Sequence, residues 1–386
     1  MQQSLLVYSL VIAFAIVVVI TVVLYTTSIP YSTTTTSTAP VSTQGVVNVT
    51  GTSSITTTVA SISSAVTTTS QSTATTTLPR SNGTMGEWQA ASSYPLPVYN
   101  ETCVGWSGYV YCIGGMTSPQ FMTNKVYFAP VSSGGIGTWK ETAPYVYNIS
   151  DPSCALNGNT VYCAGGMGYL QVAGDNATYL PYVYYANLTP DGITAWKFAV
   201  PYPYPVAGAS CAMLSGKLYC VGGFNSTARS SEVNYASVGN GTYQFWLNTV
   251  SYPVQTSFTS CVGENNTAYC TAGTGSQNSY YASVAQSYGG LGNWTYSGTY
   301  PVQAFDPSCS VSGGVDYCVG GYSGSYAPIS KVYYSKLSPT GFSDWKPGPL
   351  YPSPGLYQGS CAVSGAYIYC IGGRNQFGGT YFAQLA

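Results

Sequence analysis

Six times between Glu101 and the C-terminus the chain places two cysteines with eight residues between them, as Cys103/Cys112, Cys154/Cys163, Cys211/Cys220, Cys261/Cys270, Cys309/Cys318 and Cys361/Cys370. Successive first members lie 51, 57, 50, 48 and 52 residues apart, and a period of that length restricts the chain to a stacked or radial array of like units. Each second Cys follows a Tyr and precedes a small dipeptide: Gly114-Gly115, Gly165-Gly166, Gly222-Gly223, Ala272-Gly273, Gly320-Gly321 and Gly372-Gly373. A Tyr-rich segment comes next, for example Val126-Tyr127-Phe128-Ala129 or Thr380-Tyr381-Phe382-Ala383. A Trp then introduces a fourth element.

This succession of apolar strand, paired glycines, Tyr strand and Trp strand resembles the kelch repeat, in which each unit is one four-stranded propeller blade. The resemblance covers residues 82–386 in six in-phase copies. It departs from the family in lacking the Arg that often precedes the first kelch strand and in adding cysteine pairs. The implied fold class is all-β, a six-bladed kelch-type β-propeller, with one N-terminal transmembrane helix and a disordered stalk ahead of it.

The order of the landmarks says how the ring closes. Trp88, Trp139, Trp196, Trp246, Trp294 and Trp345 each precede a cysteine pair and each have a Tyr six residues on. The Trp88 segment is therefore a fourth strand without its own first three, and the last repeat ends at Ala386 with no Trp after it. The two defects complement each other, so blade six is expected to take its outer strand from around Trp88, which hides the edges of an open array.

Between the two cysteines of each pair stand Ser107-Gly108, Gly158-Asn159, Ser215-Gly216, Asn265-Asn266, Gly313-Gly314 and Gly365-Ala366, residue pairs suited to positive φ in two-residue hairpins. A hairpin about such a turn sets the two cysteines directly opposite at a narrow pair, where Cα atoms approach to about 4.5 Å. Six sequential intra-blade disulfides follow. The spacing lacks the short ligand pairs of zinc sites and the chain has no His, so no metal or cofactor is expected. Twelve cysteines with none left over indicate an oxidising, extracytoplasmic compartment.

Residues 1–25 read as a membrane anchor or signal. Residues 5–24 carry no charge and are long enough for roughly 30 Å of helix. No small-x-small cleavage site follows, which favours an uncleaved single span, and the cysteines and sequons downstream require the C-terminal side to be outside the cell. Residues 26–81 are dominated by Ser and Thr and read as a stalk. The expected location is the cell membrane, with the propeller of residues 82–386 on its extracellular side.

Sequons start at Asn48, Asn82, Asn100, Asn148, Asn176, Asn187, Asn225, Asn240, Asn265 and Asn293, and mark the chain as a candidate glycoprotein. With 10 basic and 11 acidic residues in 386 there is no basic patch, which excludes nucleic acid as a partner. So few ionisable groups are expected to couple folding only weakly to pH, with little change in melting temperature between about pH 2 and pH 7. Together with the disulfides, this suits an acidic medium and the surface of an acid-habitat archaeon.

Propellers of this shape host enzymes, so the residue types decide. Galactose-oxidase-like kelch proteins hold copper partly through His, which is absent here. Sialidases need an arginine cluster, and the chain has only Arg80, Arg229 and Arg374. Asp151 and Asp306, in matching Asp-Pro-Ser sequences of blades two and five, are expected on opposite sides of the central opening. They read either as turn residues or as a carboxyl pair of the kind glycosidases use. Trp106 reads as packing. The expectation is a non-enzymatic, membrane-anchored surface glycoprotein acting as an adhesion or cell-envelope interaction module, with envelope polysaccharide or another surface protein as partner. The alternative is an extracellular carbohydrate-binding protein or hydrolase using the loops at 116–124, 167–181, 224–231, 274–279, 322–330 and 374–379, with Asp151, Asp306, Arg229 and Arg374 as ligand-binding candidates.

Overall fold

The computed structural model describes residues 83–117, 121–169, 177–238, 245–287, 289–375 and 378–386. They form six antiparallel sheets around a common centre. The innermost strands are Thr102–Trp106, Ser153–Asn157, Ser210–Leu214, Ser260–Glu264, Ser308–Ser312 and Gly359–Ser364, and define blades 1 to 6. Each packs against the next, and the last against the first. The second strands, such as Tyr109–Ile113 and Lys217–Val221, lie between two neighbours and between two blades, so they are buried on both faces. That is why their sequences are continuous apolar runs rather than alternating ones.

Each hairpin register sets the two cysteines of its repeat opposite one another. All six disulfides are present, Cys103–Cys112, Cys154–Cys163, Cys211–Cys220, Cys261–Cys270, Cys309–Cys318 and Cys361–Cys370, with Cα separations of 4.0–4.1 Å. The turns do what the strand twist requires. Ser107-Gly108, Ser215-Gly216, Asn265-Asn266 and Gly313-Gly314 have positive φ at both central residues, whereas Gly158 and Gly365 have it at the first only.

The two cysteines of a pair have different surroundings. The second members, Cys112, Cys163, Cys220, Cys270, Cys318 and Cys370, are fully buried on the second strands. Cys163 packs among Tyr184, Ala186 and Leu188 in the core shared by blades 1 and 2, and Cys220 among Leu218, Val206 and Tyr202 in the core shared by blades 2 and 3. These sulfurs act as core atoms as well as cross-links, which removes the second cysteines from any surface a ligand can reach.

Blade 6 takes its outer strand from the other end of the chain. Gln89–Ala90 pairs with Thr380–Gln384 in the register Gln89 to Phe382 and Ala90 to Tyr381. Backbone bonds from Gly86 N to Gln384 O (2.8 Å), Ala91 N to Thr380 O (2.9 Å) and Tyr94 N to Gly378 O (2.9 Å) extend the seam beyond that ladder.

Three repeated contacts hold blade to blade. Each repeat Trp meets, edge-on, the Tyr that follows the previous Trp: Trp139 on Tyr94, Trp196 on Tyr145, Trp246 on Tyr202, Trp294 on Tyr252, Trp345 on Tyr300 and, across the closure, Trp88 on Tyr351, with centroids 4.8–5.0 Å apart. Five of these indoles also donate Nε1–H to a carbonyl four residues after the previous Trp, as Trp196 does to Ala143 O at 3.2 Å. Trp345 is the exception, with Nε1 buried and unpartnered. The preceding fourth strand, Thr295–Thr299, is longer than the other outer strands and pairs with Asn278–Ser283 through a bulge, which disturbs the register the bond depends on.

The second contact comes from the Tyr before the second Cys, whose hydroxyl reaches the third-to-fourth-strand loop of the next blade. Tyr269 Oη donates to Ser338 O (2.7 Å) and Tyr369 Oη to Ser132 O (2.9 Å), while Tyr111 reaches Thr189 O in the same way. The third is a ring of hydroxyls. Ser153, Ser210, Ser260, Ser308 and Ser360, each just before a first Cys, accept the amide N–H of the first Cys in the following blade at 2.8–3.2 Å. At the remaining interface Thr102 donates its hydroxyl to Pro152 O. Ser210→Ala should leave the Cys261 amide without an acceptor and cost about 1–3 kcal/mol. Denaturant unfolding checks this, and an unchanged midpoint would mean that water replaces the hydroxyl.

Two segments expected as loops contain strand. Residues 116–124 and 167–181 contribute Met116–Thr117, Phe121–Met122, Met167–Gly168 and Thr178–Tyr179 to two three-stranded sheets that also include Val98–Tyr99 and Ile149–Ser150. The chain entering each of these two blades is extended and offers free backbone groups, and the segment leaving the paired glycines supplies their partners. Similarly, the loop expected at 274–279 gives way to strand at Asn278.

Among the described residues no helix is long and apolar enough to cross a membrane. The apolar run at 5–24, the Ser/Thr-rich tract, Arg80 and the sequons at Asn48, Asn82, Asn176 and Asn240 lie outside the described residues.

Candidate functional site

The innermost strands surround a channel of about 440 Å³ lined by all six blades. The first cysteines, Cys103, Cys154, Cys211, Cys261, Cys309 and Cys361, stand on its wall, whereas their buried partners, Cys163 and Cys220 among them, do not. Three residues before each first Cys, the chain must turn sharply from the approach segment into the innermost strand. The residues there are Asn100, Asp151, Gly208, Phe258, Asp306 and Gln358, and all six have φ between 54° and 58°. Backbone bonds link them around the mouth: Asp151 N to Asn100 O (3.0 Å), Phe258 N to Gly208 O (2.9 Å), Asp306 N to Phe258 O (2.9 Å) and Asn100 N to Gln358 O (2.8 Å). Five non-glycine residues in the left-handed region are a concentration of backbone strain, held by this ring of bonds.

The ring has two unlike halves. Reading across blades 5, 6, 1 and 2, Asp306, Gln358, Asn100 and Asp151 form a polar arc, with Glu101 buried behind it. Gly208 and Phe258 on blades 3 and 4 form the apolar remainder. Asn100 Nδ2 donates to Asp151 Oδ2 at 3.1 Å and Ser150 Oγ donates to the same oxygen at 3.0 Å. Asn100 Oδ1, Gln358 Oε1 and both carboxyl oxygens of Glu101 are buried without a hydrogen-bond partner.

The acids are not in their ordinary states. Asp151 and Asp306 retain some surface toward the channel, but the protein around them strips most of their hydration. Burial raises Asp151 to about 6, against the opposing bonds from Ser150 and Asn100. Burial, with the charge of Asp151 as a second cause, raises Asp306 to about 7. Glu101, 5% exposed, is held well above the carboxylate range by burial first, with smaller contributions from Asp306 and Asp151. A fourth acid lies elsewhere. Asp316, 1% exposed on the second strand of blade 5, is raised by burial to about 8 and leaves Oδ1 unpartnered.

The direction of these shifts runs against the expectation of weak coupling between folding and pH. The number of acids understates the coupling, because desolvation raises the pKa of five of the eleven, Glu264 among them.

The other candidates surround the same mouth or its neighbour. The Arg374 guanidinium lies 5.5 Å from the Tyr99 ring centroid and 5.9 Å from that of Tyr357, the residues immediately before Asn100 and Gln358. Arg229 lines a second depression of about 640 Å³, with Phe224, Phe258, Phe305, Tyr322 and Tyr326 as its aromatic walls. Phe258 belongs to both cavities. Asn225, at the edge of this depression, caps its own turn through Oδ1 to the amides of Thr227 (2.9 Å) and Ala228 (3.1 Å). Trp106 stacks on Tyr109 and packs on the core of blades 1 and 2.

One cluster of potential metal-ligand atoms occurs among the described residues, Cys309, Asp316 and Cys318, and its two sulfurs are joined in a disulfide, so neither is a thiolate. Sequence reasoning found Asp151 and Asp306 but missed Glu101, Asn100 as a ring residue, and Gln358. The signal available was position: each of the ring residues stands three places before a first Cys.

No family model matches the chain. A stretch of 164 residues, 38% of the chain, is 27% identical to Kelch repeat and BTB domain-containing protein 12 of Danio rerio, and covers 25% of that relative's length. The chain thus spans about a quarter of the curated relative it matches. Among solved structures, that of YjhT matches 77% of this chain and 97% of its own with a TM-score of 0.61 at 14% identity, a likeness of fold. The repeated sheets and this neighbour agree on a β-propeller, the Danio rerio match is a kelch-repeat likeness, and the six disulfides staple the blades.

Proposed function

We propose that the chain is a non-enzymatic interaction module, exported, held at the cell surface by its N-terminal segment and used for adhesion or for contact with the cell envelope. The observation that carries this reading is the open, aromatic-walled depression beside the channel mouth, on a frame cross-linked in every blade. A rigid frame loses little conformational freedom on binding, and aromatic walls with an Arg supply the contact types that dominate recognition surfaces. Tyr326 is 69% exposed at this depression and stacks on Tyr322 at 5.7 Å, so part of the surface is ready to be covered.

Whole-cell and glycan-array binding by the full-length chain tests the proposal. Tyr326→Ala and Arg229→Ala should each weaken binding about tenfold. Binding that ignores both and maps to the outer strands instead would refute the assignment of the face. A glycan at Asn225 would cover the depression, so glycopeptide mapping should find that residue unmodified.

A second reading has its own support. Asp151 and Asp306 both line the channel and titrate near neutrality, the range in which one carboxyl donates a proton while another stays ionised. Hydrolysis of an envelope polysaccharide, lost in both Asp151→Asn and Asp306→Asn, would make the protein a carbohydrate hydrolase and displace the first reading.

A further inference from the structure

The polar arc of the channel mouth is rich in oxygens. Asp151, Asp306 and Glu101 contribute carboxyl oxygens, and Asn100 and Gln358 add amide oxygens that are buried and unbonded. Glu101 is the independent sign of a missing partner. It is 5% exposed, lines the channel, and neither of its oxygens has a hydrogen bond, although its own amide and that of Ser360 lie near enough to lower its pKa slightly. A buried polar group left in that state costs about 1–3 kcal/mol, and four such oxygens belong to residues that line the channel.

The chemistry of the arc narrows what would satisfy it. The acids alone do not form a metal cage, because among the described residues no three carboxyl groups at the mouth bring oxygens within 4.8 Å of one another. A hydroxyl brings acceptor lone pairs along with each donor and would face oxygens with oxygens. An ammonium group brings three donors, no acceptor and a positive charge. The Arg374 guanidinium, beside the mouth, is instead placed over Tyr99 and Tyr357. Opposite the arc, Phe258 leads from the channel into the aromatic depression, an apolar path for a methylene chain.

We propose that the channel mouth binds an alkylammonium group, either a free aliphatic amine or a lysine side chain, with its N–H donors on the arc of Asp306, Gln358, Asn100 and Asp151 and its methylene stem along Phe258. This rests on the reading of that face as the binding face and names the chemistry it selects. The titratable and charged groups facing the arc are Glu101, Asp151, Asp306, Tyr322 and Arg374. Bringing a cation to carboxyls that are partly protonated near neutrality should release protons, so affinity should rise with pH.

Calorimetric titration of the full-length protein with cadaverine, with an acetylated and amidated lysine tripeptide, with pentanediol and with calcium tests the proposal. Cadaverine is expected to bind at about pH 8 and at least about tenfold more weakly at about pH 5. If the natural source is a protein lysine, the peptide should bind at least as well as cadaverine; a weaker peptide points to free amines, and either result supports the ammonium site. Asp151→Asn and Asp306→Asn should each weaken cadaverine about tenfold, and Asn suits the positive φ of both positions. Glu141→Gln, at an exposed ion pair with Lys125, should change nothing. If either Asp variant fails to fold, titration of the unmodified protein in two buffers of different ionisation heat still decides the matter, since proton release is expected. Absence of cadaverine binding up to about 10 mM, equal binding of pentanediol, displacement of cadaverine by calcium, binding without proton release, or folded Asp variants of unchanged affinity would each overturn it. Adhesion to cells that cadaverine fails to inhibit would remove this proposal and leave the proposed interaction role standing.

Discussion

Raising the pH from about 4 to about 8 is expected to destabilise the folded propeller, by on the order of 10 kcal/mol in total. The sign follows from the direction of the shifts. Asp151, Asp306, Asp316 and Glu101 all have folded-state values above their ordinary ones, chiefly through burial. The unfolded chain therefore gives up these protons at lower pH than the folded one does. The stability they contribute is complete below about pH 4 and is lost as the pH climbs through about 6, 7 and 8, the values of Asp151, Asp306 and Asp316. Most proteins with salt-bridged carboxylates lose stability in the opposite direction, on acidification. Thermal melts across this range check the expectation, and a melting temperature that is flat or rises with pH would contradict it.

Asp316→Asn isolates one contributor. The side chain is 1% exposed, with Oδ1 unpartnered and Cys318 Sγ 3.6 Å from Oδ2, and Tyr300, whose pKa its charge helps to raise, has an unpartnered hydroxyl of its own. The amide cannot ionise. The variant should gain stability over the parent at about pH 8 and match it within about 1 kcal/mol at about pH 4. An acidic working environment would suit a protein built this way.

Removing residues 82–95 is expected to lower the melting temperature by more than about 10 °C and to promote association. The deletion takes away the strand Gln89–Ala90, the Trp88 contact with Tyr351, and the Tyr94 ring and Ser92 carbonyl that hold Trp139. It therefore weakens the interfaces on both sides of blade 6 and leaves Thr380–Gln384 as an open edge. Melting and light scattering of the deleted chain against its parent check this. Equal melting temperatures would mean that the seam contributes little and that the disulfides and hydroxyl ring suffice.

Whatever repeats, and whatever is local, was legible in the chain before folding. The spacing of each cysteine pair, with turn residues such as Asn265-Asn266 at its centre, specifies a two-residue hairpin and hence the register that pairs Cys261 with Cys270. The Trp88 segment, a fourth strand ahead of the first repeat, specifies how the ring is completed, because an unattached strand and the edge of Thr380–Gln384 have complementary needs. Even the hydroxyl ring was written in the chain as Thr102 or a Ser before every first Cys, but nothing within one repeat says that the hydroxyl's partner is an amide of the next blade. The same limit holds for the cysteines: their spacing pairs Cys154 with Cys163 and Cys211 with Cys220, but only the packing of neighbouring blades puts the first of each pair both on the channel wall and against a core, and buries the second completely.

The site itself exists only in the closed ring. Asn100, Asp151, Asp306 and Gln358 lie about one repeat or more apart in the chain, and closure alone brings them to one mouth with Glu101 buried behind them. Whether an acid there is hydrated or stripped of water depends on packing from all six blades, and that burial, invisible in composition, turns a chain with eleven acids into one whose stability is tied to protons.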